Sequence, residues 1–154
     1  MSTQLSAEVI DLLNQESTTK VLATIDQEGR PHAVVRNAIH AAADGSLLLP
    51  ELLESSSTNR NLLGSLWFDR QVAISLQAED GRSFQIKGRP VKTHVAGPLF
   101  QAHYRKVQET LGKVGLAAVW VIRPEEVHSG DISTLRARQL AERPTLVHLD
   151  QLAK

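Results

Sequence analysis

Asp44-Gly45-Ser46-Leu47-Leu48-Leu49-Pro50 turns the chain and sends it out as a short apolar strand. A few residues on, it meets Ser55-Ser56-Ser57-Thr58-Asn59-Arg60-Asn61-Leu62-Leu63, a hydroxyl-rich turn opening a short helix. Asp-Gly supplies the positive-φ turn chemistry of a tight hairpin, so residues 46–50 are the returning strand of a pair. The free N–H groups and positive dipole end of a helix start, ringed by hydroxyls, suit an anion such as phosphate. A plainer reading of the same segment is that one Ser or Thr caps the helix and the others are solvated.

Working outward, Val21 to Asp26 reads as a strand ending in the turn Gln27-Glu28-Gly29-Arg30. Pro31 opens a second strand running to Ala41, so three strands follow in meander order. Arg36-Asn37 is a polar pair inside that second strand, and the strand is expected to pair with the one leading to the serine turn. Arg offers a forked donor suited to phosphate, and Asn can read a heterocycle edge. The alternative is that Arg36 faces water on the outside. Upstream, Val9, Ile10, Leu12 and Leu13 behind Ser6 predict a short amphipathic helix over 6–15.

Val72, Ile74, Leu76 and Ala78 alternate with Ala73, Ser75 and Gln77, the period of a strand with one buried face. Asp80-Gly81 turns into a fifth strand carrying Phe84 and Ile86, with a bend expected at Gly88 and Pro90. From Pro98 the period becomes helical, with Phe100, Tyr104, Val107 and Leu111 on one stripe and Gly112 and Gly115 at its end. The run Leu116 to Ile122 is expected as a sixth strand, buried on one side by the barrel and on the other by a partner. Beyond Arg123-Pro124 the pattern weakens. His128-Ser129-Gly130-Asp131 reads as a loop, residues 134–142 as a polar helix, and the tail over 129–154 has no firm assignment. The expected fold is mainly β with flanking helices: a six-stranded antiparallel split β-barrel in a single domain, its core spanning about residues 7–128. Closing the sheet removes exposed edges.

With 17 Lys+Arg against 17 Asp+Glu in 154 residues, no global field draws the chain to nucleic acid or an anionic membrane. Any phosphate must be held by local geometry. There is no cysteine, which excludes disulfides, thiolate metal sites and a Cys nucleophile and fits a cytoplasmic location. No basic start or cleavage-like site precedes Gln15, and no apolar run is long enough for a bilayer, so neither secretion nor a membrane span is expected. The six histidines form no metal-binding motif. His40 and His94 could meet across strands, but no metal is expected. No GxSxG, Walker or GxGxxG motif occurs, the acidic pairs Glu79-Asp80 and Glu125-Glu126 read as solvated loops, and no catalytic side chain is nameable. Trp120 is expected in the core and Trp67-Phe68 at a dimer contact.

Taken in order, several segments carry a family likeness. They are Val21-Leu22-Ala23-Thr24-Ile25-Asp26 with Gly29-Arg30-Pro31-His32, then Asp44 to Pro50, then Ser57-Thr58-Asn59-Arg60-Asn61-Leu62, then Gln71 to Leu76. Ile86-Lys87-Gly88-Arg89-Pro90, Gly97-Pro98-Leu99-Phe100 and Pro124-Glu125-Glu126-Val127 complete the series. In this order and spacing the chain resembles the pyridoxamine 5'-phosphate oxidase-like superfamily of FMN-binding split barrels, in particular its short FMN-binding proteins. The resemblance implies a homodimer with FMN in a groove between subunits, working as a flavin-dependent oxidoreductase or electron carrier on a small molecule. The cofactor-binding residues it implies are Arg36, Asn37, Pro50, Glu51, Ser56, Ser57, Thr58, Arg60 and Asn61. One departure stands out: the basic residue expected just before Thr58 is Ser57, so phosphate charge falls to Arg36, Arg60 or backbone N–H groups, and weaker FMN retention is expected. The alternative is a non-enzymatic ligand-binding or sensing module that takes haem or another nucleotide in the same groove, with His128 or His148 as a haem ligand.

Overall fold

The computed structural model describes residues 3–146. Its elements in chain order are α1 (Ala7–Leu13), β1 (Thr19–Ile25), β2 (Pro31–Val35), β3 (His40–Ala41), β4 (Leu47–Glu51), α2 (Ser57–Trp67), β5 (Val72–Gln77), β6 (Ser83–His94), α3 (Pro98–Leu111), β7 (Ala118–Ser129) and α4 (Ile132–Glu142). The strands form one antiparallel seven-stranded sheet in the order β2-β1-β5-β6-β7-β4-β3.

That order explains why the barrel has seven strands rather than six. The run expected as one strand over 31–41 breaks at Arg36, and its halves become the two opposite ends of the sheet. β2 pairs with β1, and β3 with β4, so β2 does not reach the strand that leads to the serine turn. A tight turn over 36–39, closed by the Ile39 N–H on Arg36 O at 3.2 Å, joins the ends covalently. Burial drives the break: Ile39 is fully buried in the core and pulls the chain inward between two strands. We call this line the seam.

Inside the barrel, Leu22, Leu47, Leu49, Ile74, Leu76, Ile86, Trp120 and Ile122 pack with Val9 and Leu13 of α1 and Leu62 of α2. The expected faces of β5 and of Trp120 are those observed. Leu47, Leu48 and Leu49 are all buried because β4 is covered twice: Leu48 and Val119 face outward under Leu99, Phe100 and Val107 of α3. The outer cover of β7 expected from a partner is thus supplied in part by the chain's own helix. Only half of the α3 stripe is used, since Tyr104 and Leu111 remain exposed.

β7 runs on through Arg123-Pro124 to Ser129, beyond the expected end at Ile122 and into the first half of the segment expected as a loop, of which Gly130 and Asp131 lie outside the strand. A proline is tolerated there because the β6–β7 register jumps from Lys87↔Glu126 to Gly88↔Pro124, so Glu125 is bulged out of the ladder. Glu125 meets Arg89 NH1 at 2.5 Å and Gln71 Nε2 at 3.2 Å. Gly88 is required at this point, because a Cβ there would stand 2.4 Å from Arg123 O. The tail helix appears as α4, capped by Asp131, and His148 lies outside the described residues. Among the described residues no helix is long and apolar enough to cross a membrane.

Candidate functional site

Three polar contacts fix the start of α2 against the barrel. Ser56 is the N-cap and accepts from the Asn59 N–H at 2.9 Å, so its hydroxyl is committed to the helix, as the plainer reading of this segment held. Asn59 Oδ1 accepts the Trp120 indole N–H at 2.8 Å, and Asn61 donates to Thr24 Oγ1 at 3.0 Å in a buried pair. Asn61 is therefore internal, tying α2 to β1.

The seam turn is held from β1. Lys20 N–H donates to Asn37 Oδ1 at 2.9 Å, Lys20 Nζ to Asn37 O at 2.8 Å, and the Arg36 N–H to Lys20 O at 2.8 Å. Arg36 and Asn37, expected in a strand middle, thus stand at a strand break, and the Asn37 carbonyl oxygen is engaged within the chain. Burial pushes the Lys20 ammonium below its ordinary range, with nearby Glu16 acting against that. On the far side, Asn14 Oδ1 accepts the Ala41 N–H at 2.9 Å and pins β3 to the end of α1.

Arg36 points toward Thr58, with NH2 3.4 Å from Oγ1, and toward Glu51, with Nε 3.6 Å from Oε2. His32 Nε2 reaches the same Thr58 hydroxyl at 3.5 Å. Glu51 is only 3% exposed. Its Oε1 accepts the Leu53 N–H at 3.3 Å, while Oε2 has no hydrogen-bond partner among the described residues. The Arg36 guanidinium is its nearest cation, too distant for a hydrogen bond yet close enough for a Coulomb contact.

Two cavities flank this cluster. The larger, about 800 Å³, follows the seam and is lined by every residue from Val35 to Ala41, by Pro50, Glu51, Leu52, Leu53 and Ser56, and by one side of α3 including His103 and Lys106. The smaller, about 470 Å³, is lined by Arg30, His32, Ser57, Arg60, Asn61 and Arg70 among others. The nine expected residues are thereby divided. Arg36, Asn37, Pro50, Glu51 and Ser56 face the seam cavity, while Ser57, Arg60 and Asn61 face the smaller one. Thr58, 1% exposed, is touched by Arg36 from one side and by His32 from the other.

Sequence reasoning did not single out Lys20, His103 or Lys106 as site residues. Their signals lay in elements far apart in the chain, and only the packing of α3 beside the seam unites them. The contact weighed between His40 and His94 does not form: His40 Nε2 lies 3.2 Å from that of His103, while His94 pairs with Val119 in the β6–β7 ladder. Burial is the main cause holding the His40 imidazole below its ordinary pKa, and His103, Lys106 and Lys20 add to it. His128 is exposed on β7 and lines neither cavity.

No protein-family model and no curated protein matches the sequence. Several solved structures share its fold. HupZ of Group A Streptococcus superposes with a TM-score of 0.66 at 18% identity, covering 84% of this chain and 96% of that one. An FMN-binding protein from Syntrophomonas wolfei gives 0.62 at 12% identity, over 80% of this chain and 84% of its own. A protein provisionally named a pyridoxamine 5'-phosphate oxidase, from Lactobacillus delbrueckii, gives 0.60 at 19% identity, over 81% and 93%. At these identities the likeness is one of fold: the chain has the pyridoxamine 5'-phosphate oxidase-like split barrel that the order of its sequence segments pointed to.

Proposed function

We propose that this protein binds FMN in the seam cavity and acts in the cytoplasm, as a homodimer, as a flavin-dependent oxidoreductase or electron carrier for a small molecule. The observation that carries the reading is the seam cavity itself. It is a space of about 800 Å³ on a split barrel, with Arg36 on its wall beside Thr58 and with Val35, Leu52, Leu53, Val107 and Leu111 as apolar lining. Its size falls within the range of small-molecule and cofactor sites, and its mix of apolar wall and few polar groups suits a flat ring with an anionic tail.

Bound FMN would supply the redox chemistry, as cofactors of this kind do. The chain's own contribution is to bind, orient and exclude water. Arg36 supplies positive charge at the end of the cavity nearest α2, while Asn37, locked by Lys20, holds the turn that carries Arg36. Pro50 and Glu51 close the β4 side. Thr58 meets Arg36 and Asn61 ties α2 to β1, which sets the position of the helix start, while Ser57 and Arg60 face the smaller cavity. Trp67 and Phe68, 78% and 68% exposed at the end of α2, are the surface this reading assigns to the second copy.

Protein refolded with excess FMN and desalted should keep a flavin absorbance, and titration should give a saturable heat. A colourless product with no heat on titration refutes the reading. Sedimentation at micromolar concentration should give a dimer; a pure monomer refutes the two-subunit form.

A second reading has one observation in its favour. The buried Glu51 carboxylate, with an oxygen that lacks a hydrogen-bond partner, already sits against Arg36. An anion added there meets like charge, which favours a ligand offering an N–H or O–H instead of a phosphate. In that case the protein is a non-enzymatic binding module. Riboflavin binding as tightly as FMN would support it.

A further inference from the structure

His40 opens β3 beside the seam, and His103 faces it from α3. The two Nε2 atoms are 3.2 Å apart, with ring centroids 5.2 Å apart. Each ring has its other nitrogen engaged: His40 Nδ1 lies 2.9 Å from Ala38 O, and His103 Nδ1 lies 2.9 Å from Leu99 O. A carbonyl oxygen only accepts, so both Nδ1 atoms carry their hydrogen. Neutral imidazole has one N–H, and with that hydrogen on Nδ1 each Nε2 presents a bare lone pair. Two lone pairs at hydrogen-bond distance repel unless something positive lies between them, and that is a proton or a metal ion.

Three observations favour the metal. Metal-binding imidazoles characteristically give their second N–H to a backbone carbonyl or carboxylate, which fixes ring and tautomer, and here both rings do so. Two nitrogens each about 2.0–2.1 Å from a tetrahedral ion stand roughly 3.3–3.4 Å apart, close to the observed 3.2 Å. Finally, both histidines line the seam cavity, which leaves the other coordination positions to water or to a ligand held there. Carboxylates of Glu16 and Glu51 line the same space. Of the two lysines that line it, Lys20 is turned onto Asn37 O at 2.8 Å, and Lys106 weakens the attraction for a cation. No third His, Cys, Asp or Glu joins the pair among the described residues.

We propose that His40 and His103 are the two protein ligands of a site for an imidazole-preferring transition metal ion such as Zn²⁺ or Co²⁺, open on the seam cavity. The site joins β3 to α3 and stands independently of whether FMN is the cavity's ligand.

The test uses the full-length, chelator-treated protein, with Co²⁺ binding followed by visible absorption and Zn²⁺ binding by equilibrium dialysis. About one ion per chain is expected. His40→Gln and His103→Gln should each weaken it at least about tenfold, since loss of an outer partner alone costs that much. His94→Gln and His128→Gln should leave it unchanged, and circular dichroism of all four variants should match the parent. Failure to take up either ion overturns the proposal, as does uptake that survives either His40→Gln or His103→Gln with less than a threefold change. Loss in all four variants alike also overturns it.

Discussion

Replacing Gly88 with alanine tests whether the β6–β7 junction is as tight as it looks. The added Cβ would lie 2.4 Å from Arg123 O, 3.1 Å from Arg123 C and 3.2 Å from Ile122 Cγ2. A carbon and a carbonyl oxygen ordinarily approach to about 3.3 Å, so the strands must part by roughly 1 Å. The obstacle is backbone in the middle of a long ladder and cannot swing aside as a side chain would. Overpacking of this kind costs about 1–3 kcal/mol, against a gain of roughly 0.5–1 kcal/mol from removing a glycine within a strand. The net expectation is a loss of about 1–2 kcal/mol. With a urea m-value of about 1–3 kcal/mol/M, the unfolding midpoint falls by roughly 0.3–2 M, and Tm by about 2–8 °C. Gly64→Ala is the internal control. It sits within α2 with nothing inside 4 Å of an added Cβ, so it should raise stability by about 0.5–1 kcal/mol. A Gly88→Ala midpoint within about 0.2 M of the parent, measured beside a Gly64→Ala midpoint that rises, refutes the reasoning.

Three further outcomes follow from the site and its supports. Arg36→Gln removes the guanidinium from the wall of the seam cavity and should weaken FMN about tenfold by calorimetry, the worth of one charge-assisted contact, while riboflavin affinity stays put; equal weakening of both would sink the phosphate reading. Asn61→Ala removes the buried partner of Thr24 and should cost about 1–3 kcal/mol in urea unfolding. The backbone N–H of Arg30 above all, helped by that of Glu28 and by the Arg30 guanidinium, holds the Asp26 carboxyl below its usual range, despite an opposing desolvation effect. A depressed folded pKa gives stability that is present above the unfolded value of about 3.9 and is lost as pH falls through the folded one. Asp26→Ala should therefore be less stable than the parent at pH 7, with the gap closing in acid; a gap that persists at about pH 2 contradicts the assignment.

Much of the fold was legible because its signals are local. Alternation at Val72, Ile74 and Leu76, the Asp-Gly turns, and the change of period at Pro98 each depend on residues within a few positions, and their boundaries match closely. The seam was not legible. Nothing in Val35-Arg36-Asn37-Ala38-Ile39 breaks strand propensity outright; the break comes from Ile39 entering a core built by residues from all over the chain. Pro124 misled in the other direction, because the bulge that accommodates it is a property of the β6 partner strand. At the site, residue types were read well and their grouping less so. Ser56 through Asn61 do surround a helix start, but a helix turns its successive residues to different sides, so the stretch serves two cavities and a cap. The histidine pair needed the docking angle of α3, which no spacing encodes.

The seam gives this barrel an unusual mechanical property. Its two sheet ends are joined by one turn, by the clasp of Lys20 on Asn37 and by Asn14 on Ala41, with no run of ladder rungs between them. Parting the wall there, or at the two-pair β3–β4 ladder beside it, breaks a handful of contacts, whereas parting it at any other strand pair tears a ladder of five to ten residue pairs. Amide exchange should accordingly be fastest over residues 36–39 of the barrel and slowest along β5, β6 and β7. The cavity lies along that line, so a guest can enter by local breathing while the rest of the wall stays shut.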